Sequence, residues 1–113
     1  MAQPNPPLAR PALVILLALA DGDKHGYAIM REARELSEGQ LNIGPATLYT
    51  TIQRLLESDW IAEVAGPKDS DARRRYYGLT RQGRSVLTAE LAQMESLLKR
   101  SKALRLRPSG SAS

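Results

Sequence analysis

At 113 residues the chain has the length of one domain, and its 42% of hydrophobic residues can build a core. A single small domain buries only about two-thirds of its unfolded surface, so a partner subunit would add stability. Charged residues make up 25%, which excludes wholesale disorder, and the net charge of +4 suits a polyanionic partner without identifying one.

The absence of cysteine excludes disulfides, thiol redox sensing and cysteine-ligated zinc. His25 stands alone, so no histidine cluster can hold a catalytic metal, and no cofactor is expected. The longest apolar run, Pro11 to Ala20, is about half of what a bilayer-spanning helix needs. The start, Ala2-Gln3-Pro4-Asn5-Pro6-Pro7, lacks the basic region of a secretory signal. A soluble, cytoplasmic protein with no membrane partner is the expectation.

Residues 1–10 read as a flexible N-terminal arm, with Arg10 at its end within reach of phosphate only if that arm is ordered. From Pro11 to Ala20 the chain is apolar nearly all round, which predicts a buried central helix, broken by Asp21-Gly22-Asp23. A second helix is predicted from about His25 to Leu36, with Ile29, Met30, Ala33 and Leu36 on its inner face. Gly44-Pro45 starts a third, whose inward face is Leu48, Ile52, Leu55 and Leu56. Its outward face is Ala46, Thr47, Thr50 and Gln53, with Arg54 beside it.

Trp60 to Val64 reads as a strand, Gly66 to Asp71 as a loop, and Arg74 to Leu79 as a returning strand with Tyr77 and Leu79 on one face. Thr80 is an N-cap for a last helix to about Leu104, striped by Leu87, Leu91, Met94 and Leu98 and widened by Leu97. Residues 107–113 are a small polar tail. The fold class this predicts is mainly α with a small β-hairpin: a winged helix-turn-helix over 11–80 and a long C-terminal helix over 81–106.

Charge placement points the same way. Lys68, Arg73, Arg74, Arg75, Arg81 and Arg84 face only Asp69 and Asp71 in that stretch, an excess equal to that of the whole chain. A basic hairpin beside an amphipathic helix suits a phosphate backbone, although a solvated arginine-rich loop would read the same way. Tyr76 tips the balance, since a phenol beside guanidinium groups can donate to phosphate oxygens.

The order and spacing of His25-Gly26-Tyr27, Pro45-Ala46-Thr47-Leu48-Tyr49, Arg54-Leu55-Leu56 and Tyr76-Tyr77-Gly78-Leu79-Thr80, followed by Gly83, resembles the PadR-like transcriptional regulators. The resemblance covers roughly Leu13 to Leu98. It implies a homodimeric repressor of transcription that binds double-stranded DNA, with the third helix in the major groove and the wing along the backbone. A chain ending after one C-terminal helix resembles the short-form branch. The sequence departs from the family pattern at Ala46, Thr50 and Asp59-Trp60, where Gly, Pro and Gly-Leu are common. Asp59 should support a left-handed helix end less readily than glycine, so the third helix is expected to end differently.

The candidate DNA contacts are therefore Tyr27, Pro45, Ala46, Thr47, Tyr49, Thr50, Gln53, Arg54, Lys68, Arg73, Arg74, Arg75 and Tyr76. Tyr27 and Tyr49 either reach phosphate or pack their rings. His25 reads as structural, a lone imidazole bonding a loop carbonyl. The dimer seam is expected on Leu87, Leu91, Met94, Leu97 and Leu98, because a long helix after a complete small fold has few internal surfaces to cover. The basic cluster from Lys99 to Arg107 reads as a soluble end.

Relatives of this kind imply a small-molecule effector between the dimer halves. No aromatic residue follows Tyr77, so such a pocket would be aliphatic, with Trp60 and Met94 as its candidates and Trp60 the stacking partner. Trp60 otherwise reads as packing. The alternative function is a winged-helix module that docks protein rather than DNA. Enzyme activity is set aside, since one histidine and no cysteine assemble no nucleophile–base pair.

Overall fold

The computed structural model describes residues 8–106. Helix α1 (Arg10–Ala18) carries Pro11 in its first turn, where a missing N–H leaves no intrahelical bond unmade. Leu13, Val14, Ile15, Leu16 and Ala18 are buried, so this is the central helix. It ends before the expected Ala20. Lys24 closes that end, its Nζ donating to the Ala18 carbonyl at 2.6 Å and to Asp21 Oδ1 at 2.5 Å. The hydrogen bond and the charge of Lys24 lower the Asp21 pKa. Of the expected arm, residues 1–7 lie outside the described residues, and Arg10 belongs to α1.

A two-residue strand, β1 (Lys24–His25), follows. It is too short to show alternation, so the sequence does not predict it. Helix α2 (Gly26–Leu36) starts immediately, capped by His25, whose Nδ1 accepts from the Ala28 N–H at 3.3 Å. The imidazole therefore bonds a helix N–H and not the expected loop carbonyl. Ile29 and Ala33 are fully buried, while Leu36 at the helix end is exposed. Ile43, in the loop beyond, is part of the core.

Helix α3 (Pro45–Glu57) begins at the proline and buries Leu48, Ile52 and Leu55, with Leu56 half-buried. Asp59 has a φ of +60°. The Trp60 N–H reaches the Leu55 carbonyl and the Asp59 N–H reaches that of Leu56, both at 3.0 Å. Asp59 thus takes the left-handed end that a glycine usually supplies, contrary to expectation.

Strands β2 (Ile61–Val64) and β3 (Tyr76–Leu79) form the wing, with Ile61 opposite Leu79 and Val64 opposite Tyr76. Each is shorter than predicted, leaving Trp60 in a turn and Arg74 and Arg75 in the wing loop. β1 pairs with the other edge of β3, His25 opposite Tyr76, giving a sheet ordered β1-β3-β2. Helix α4 (Arg81–Ala103) is capped by Thr80, whose Oγ1 accepts from the Gly83 N–H at 2.9 Å and donates to the Asp59 carbonyl at 2.6 Å. Its 23 residues extend about 35 Å at 1.5 Å each.

The architecture is mainly helical with a small antiparallel sheet, a winged helix-turn-helix followed by a long helix. Its core joins α1, α2, α3, β2, β3 and the start of α4. Among the described residues no helix is long and apolar enough to cross a membrane.

Candidate nucleic-acid interface

Because Leu48, Ile52 and Leu55 anchor α3 inward, its 3.6-residue period leaves Pro45, Ala46, Thr47, Tyr49, Thr50, Gln53 and Arg54 exposed. They do not form one uniform surface. Tyr49 and Gln53 turn toward the wing, lining a cavity of about 480 Å³ with Arg73, Arg74, Arg75, His25 and Tyr27. Ala46, Thr47, Thr50 and Arg54 turn toward the start of α1, lining a second cavity of about 520 Å³ with Pro11 and Trp60. The Thr51 hydroxyl donates to the Thr47 carbonyl at 2.7 Å, while the Thr47 and Thr50 side chains stay exposed.

The wing-side cavity has no carboxylate in its lining. Its floor is Gly26, where an added Cβ would stand 3.3 Å from the Tyr49 hydroxyl, so α2 and α3 meet closely here. Of the three arginines, Arg73 is drawn to Asp71, Nε to Oδ1 at 3.5 Å, and Arg74 Nη1 lies 3.3 Å from His25 Nε2. The His25 ring meets the edge of Tyr76, centroids 5.4 Å apart. Tyr76 is also pressed against Gly66, where a Cβ would come within 2.6 Å of its ring. It is thus held by packing and is not among the residues lining the cavity. Lys68 is exposed on the wing loop and does not line it either.

Desolvation, then the charges of Arg74 and Arg31, hold the His25 pKa below its ordinary 6.5, so the ring is neutral at neutral pH. Burial raises the Tyr77 pKa, and Glu63, its cross-strand partner, adds to that. Tyr27 is 62% exposed, with Arg31 5.8 Å above its ring. Sequence alone marks His25 as structural and gives Arg31 no role, yet His25 lines the cavity and Arg31 stands over Tyr27, which lines it too. Position at a helix start was the available signal for His25, and four-residue spacing from Tyr27 the signal for Arg31.

On α4 the expected stripe divides. Leu87 is 4% exposed and packs in the core of its own chain, so it is not available to a partner. Leu91, Met94, Leu97 and Leu98 are exposed, the last two by 58% and 56%. Leu91 and Met94 border a groove of about 580 Å³ shared with α1 and Leu36. Trp60 is half-buried against the core. Trp60 and Met94, expected in one effector pocket, line different cavities, because α1 stands between α3 and the groove that Met94 borders.

The Transcriptional regulator PadR-like family matches residues 15–89. This chain belongs to that family, and it is a transcriptional regulator. It is 30% identical over 91 residues to the Transcriptional regulator YqjI of Escherichia coli K12, covering 80% of this chain but 42% of the relative. A solved transcriptional regulator from Clostridium thermocellum is similar in structure, with a TM-score of 0.69, 27% identity, and coverage of 86% of this chain and 90% of that one. A PadR family transcription regulator from Clostridium difficile has the same fold, with a TM-score of 0.73 at 22% identity, covering 87% of this chain and all of that one.

Proposed function

We propose that this regulator binds duplex DNA in the cytoplasm as a homodimer and represses transcription at a pseudo-palindromic operator. One observation carries the reading: Tyr49 and Gln53 of α3 face Arg73, Arg74 and Arg75 across a single cavity with no acidic lining. A groove-reading helix and a phosphate-holding wing need that juxtaposition. The exposed Leu91, Met94, Leu97 and Leu98 support a two-fold seam along α4. Of the two apolar cavities, the one holding Trp60 adjoins the outward face of α3, so effector relief is assigned to it.

The test is titration of a random duplex, and of operator fragments recovered from genomic DNA, across salt concentrations. The double change Arg74→Ala and Arg75→Ala should weaken binding to every duplex and flatten the salt slope by about one per lost phosphate contact. Thr50→Ala should cost about 1 kcal/mol on the operator and almost nothing on random DNA. Affinity indifferent to salt would instead favour a winged helix that docks protein.

A further inference from the structure

We propose that His25 and Arg74 together hold one phosphodiester oxygen of the duplex, the imidazole serving as an uncharged donor through Nε2.

The inference rests on proton bookkeeping around a single ring. A neutral imidazole carries one proton, so only one of its nitrogens can accept a hydrogen bond. Yet both have a donor beside them: the Ala28 N–H at 3.3 Å from Nδ1, and Arg74 Nη1 at 3.3 Å from Nε2. The Ala28 N–H is fixed in the first turn of α2 and has no intrahelical acceptor, so it claims the Nδ1 lone pair. The Arg74 side chain is exposed and free to turn. The proton therefore sits on Nε2. That leaves an imidazole N–H and a guanidinium N–H side by side, their nitrogens 3.3 Å apart, with no other acceptor for either among the described residues. An oxygen with several lone pairs and a negative charge fills such a gap, and a phosphate oxygen is that group.

The surroundings fit a phosphodiester. Arg73 and Arg75 flank Arg74, Arg31 lies on the α2 side, and Tyr27 and Tyr49 line the same cavity. Tyr76 holds the ring edge-on from β3, across from His25 in the sheet. The imidazole is thus fixed by a cap on one side and an aromatic ring on the other. A ligand aimed this firmly binds at little entropic cost, unlike the long arginines beside it.

This inference depends on the DNA-binding reading, and its test separates the two. Binding of a random-sequence duplex is measured at several salt concentrations, above neutral pH, for the wild type, His25→Ser, Arg74→Ala and the double variant. Serine keeps an oxygen to cap α2 but has no donor that reaches the gap. Each single change should weaken binding roughly fivefold, and the double change little more, because both groups serve one oxygen. Arg74→Ala should lower the salt slope by about one, whereas His25→Ser should leave it unchanged, since an uncharged donor displaces no counterion. Additive losses, or a His25→Ser variant that binds as the wild type does, overturn the proposal. Ring-nitrogen NMR of this sole histidine in the unmodified protein needs no variant. It should show the Nε2-protonated tautomer, with Nε2 shifting when duplex is added; a proton on Nδ1 overturns the proposal. Failure of the wild type to bind any duplex would remove the DNA-binding reading itself.

Discussion

A methyl group on Gly83 would overlap the carbonyl oxygen of Trp60 and stand 2.7 Å from its carbonyl carbon. The first turn of α4 therefore lies directly on the turn that ends α3. The same carbonyl accepts the Thr80 N–H at 3.1 Å, and the Thr80 hydroxyl reaches the Asp59 carbonyl. Backbone on both sides leaves nothing that can rotate aside. Gly83→Ala should cost about 3 kcal/mol of stability, at the upper end for overpacking. Urea unfolding measures it, and a loss near zero would mean that the two turns separate easily.

Asp59 offers the opposite change. A non-glycine residue in the left-handed region carries a cost of about 1–2 kcal/mol, partly offset by the extra freedom glycine has when unfolded. Asp59→Gly should stabilise the protein by about 0.5–1 kcal/mol. A higher midpoint at unchanged denaturant slope is the expected result. A lower midpoint would show that the aspartate side chain contributes more than its backbone costs.

The lowered His25 pKa gives stability a pH dependence of known sign. The folded ring gives up its proton more readily than the unfolded one, whose ordinary value is 6.5. Stability is therefore full above 6.5 and declines as pH falls from there toward the folded value. Protonation also removes the acceptor that caps Ala28. Thermal unfolding followed from about pH 7.5 to 5.5 should show this decline in the wild type and a flatter profile in His25→Asn, which keeps a capping oxygen. Equal profiles would remove the ring as the cause.

The seam proposed on α4 is best probed at Leu98, which is 56% exposed. Leu91 also borders the groove against α1, so changing it would disturb the subunit as well. Leu98→Asp should leave secondary structure intact while reducing the mass in sedimentation from twice 12.4 kDa to 12.4 kDa. A wild type already at the smaller mass would sink the homodimer.

The helices and the outward face of α3 were legible because their signals are local and periodic: apolar spacing, Pro45 at a helix start, Thr80 at a cap. What escaped depends on distant partners. β1 exists because Lys24 and His25 meet Tyr77 and Tyr76 some fifty residues later in the chain, and two residues carry no pattern. Ile43 is core although it lies in a loop, where periodicity has nothing to count. Leu87 and Leu91 share a stripe in the sequence, but only the first lies under the rest of the fold. Asp59 shows that propensity is a weak guide where two backbone bonds and the Thr80 hydroxyl hold a turn in place. That Trp60 and Met94 line different cavities of one subunit is a matter of three-dimensional placement that composition could not show.

β3 lies between β1 and β2, and this bears on how the protein survives at high concentration. The strand at the middle of the sheet has both its edges occupied, so its N–H and C=O groups are not offered to another chain. The outer strands are two and four residues long, too short to template much pairing with a stranger. A molecule that displays several leucines along one helix thereby avoids adding a sticky sheet margin to them. Self-association through the seam proposed on α4 would then proceed by helix packing, which is selective in register, and not by open-ended strand addition.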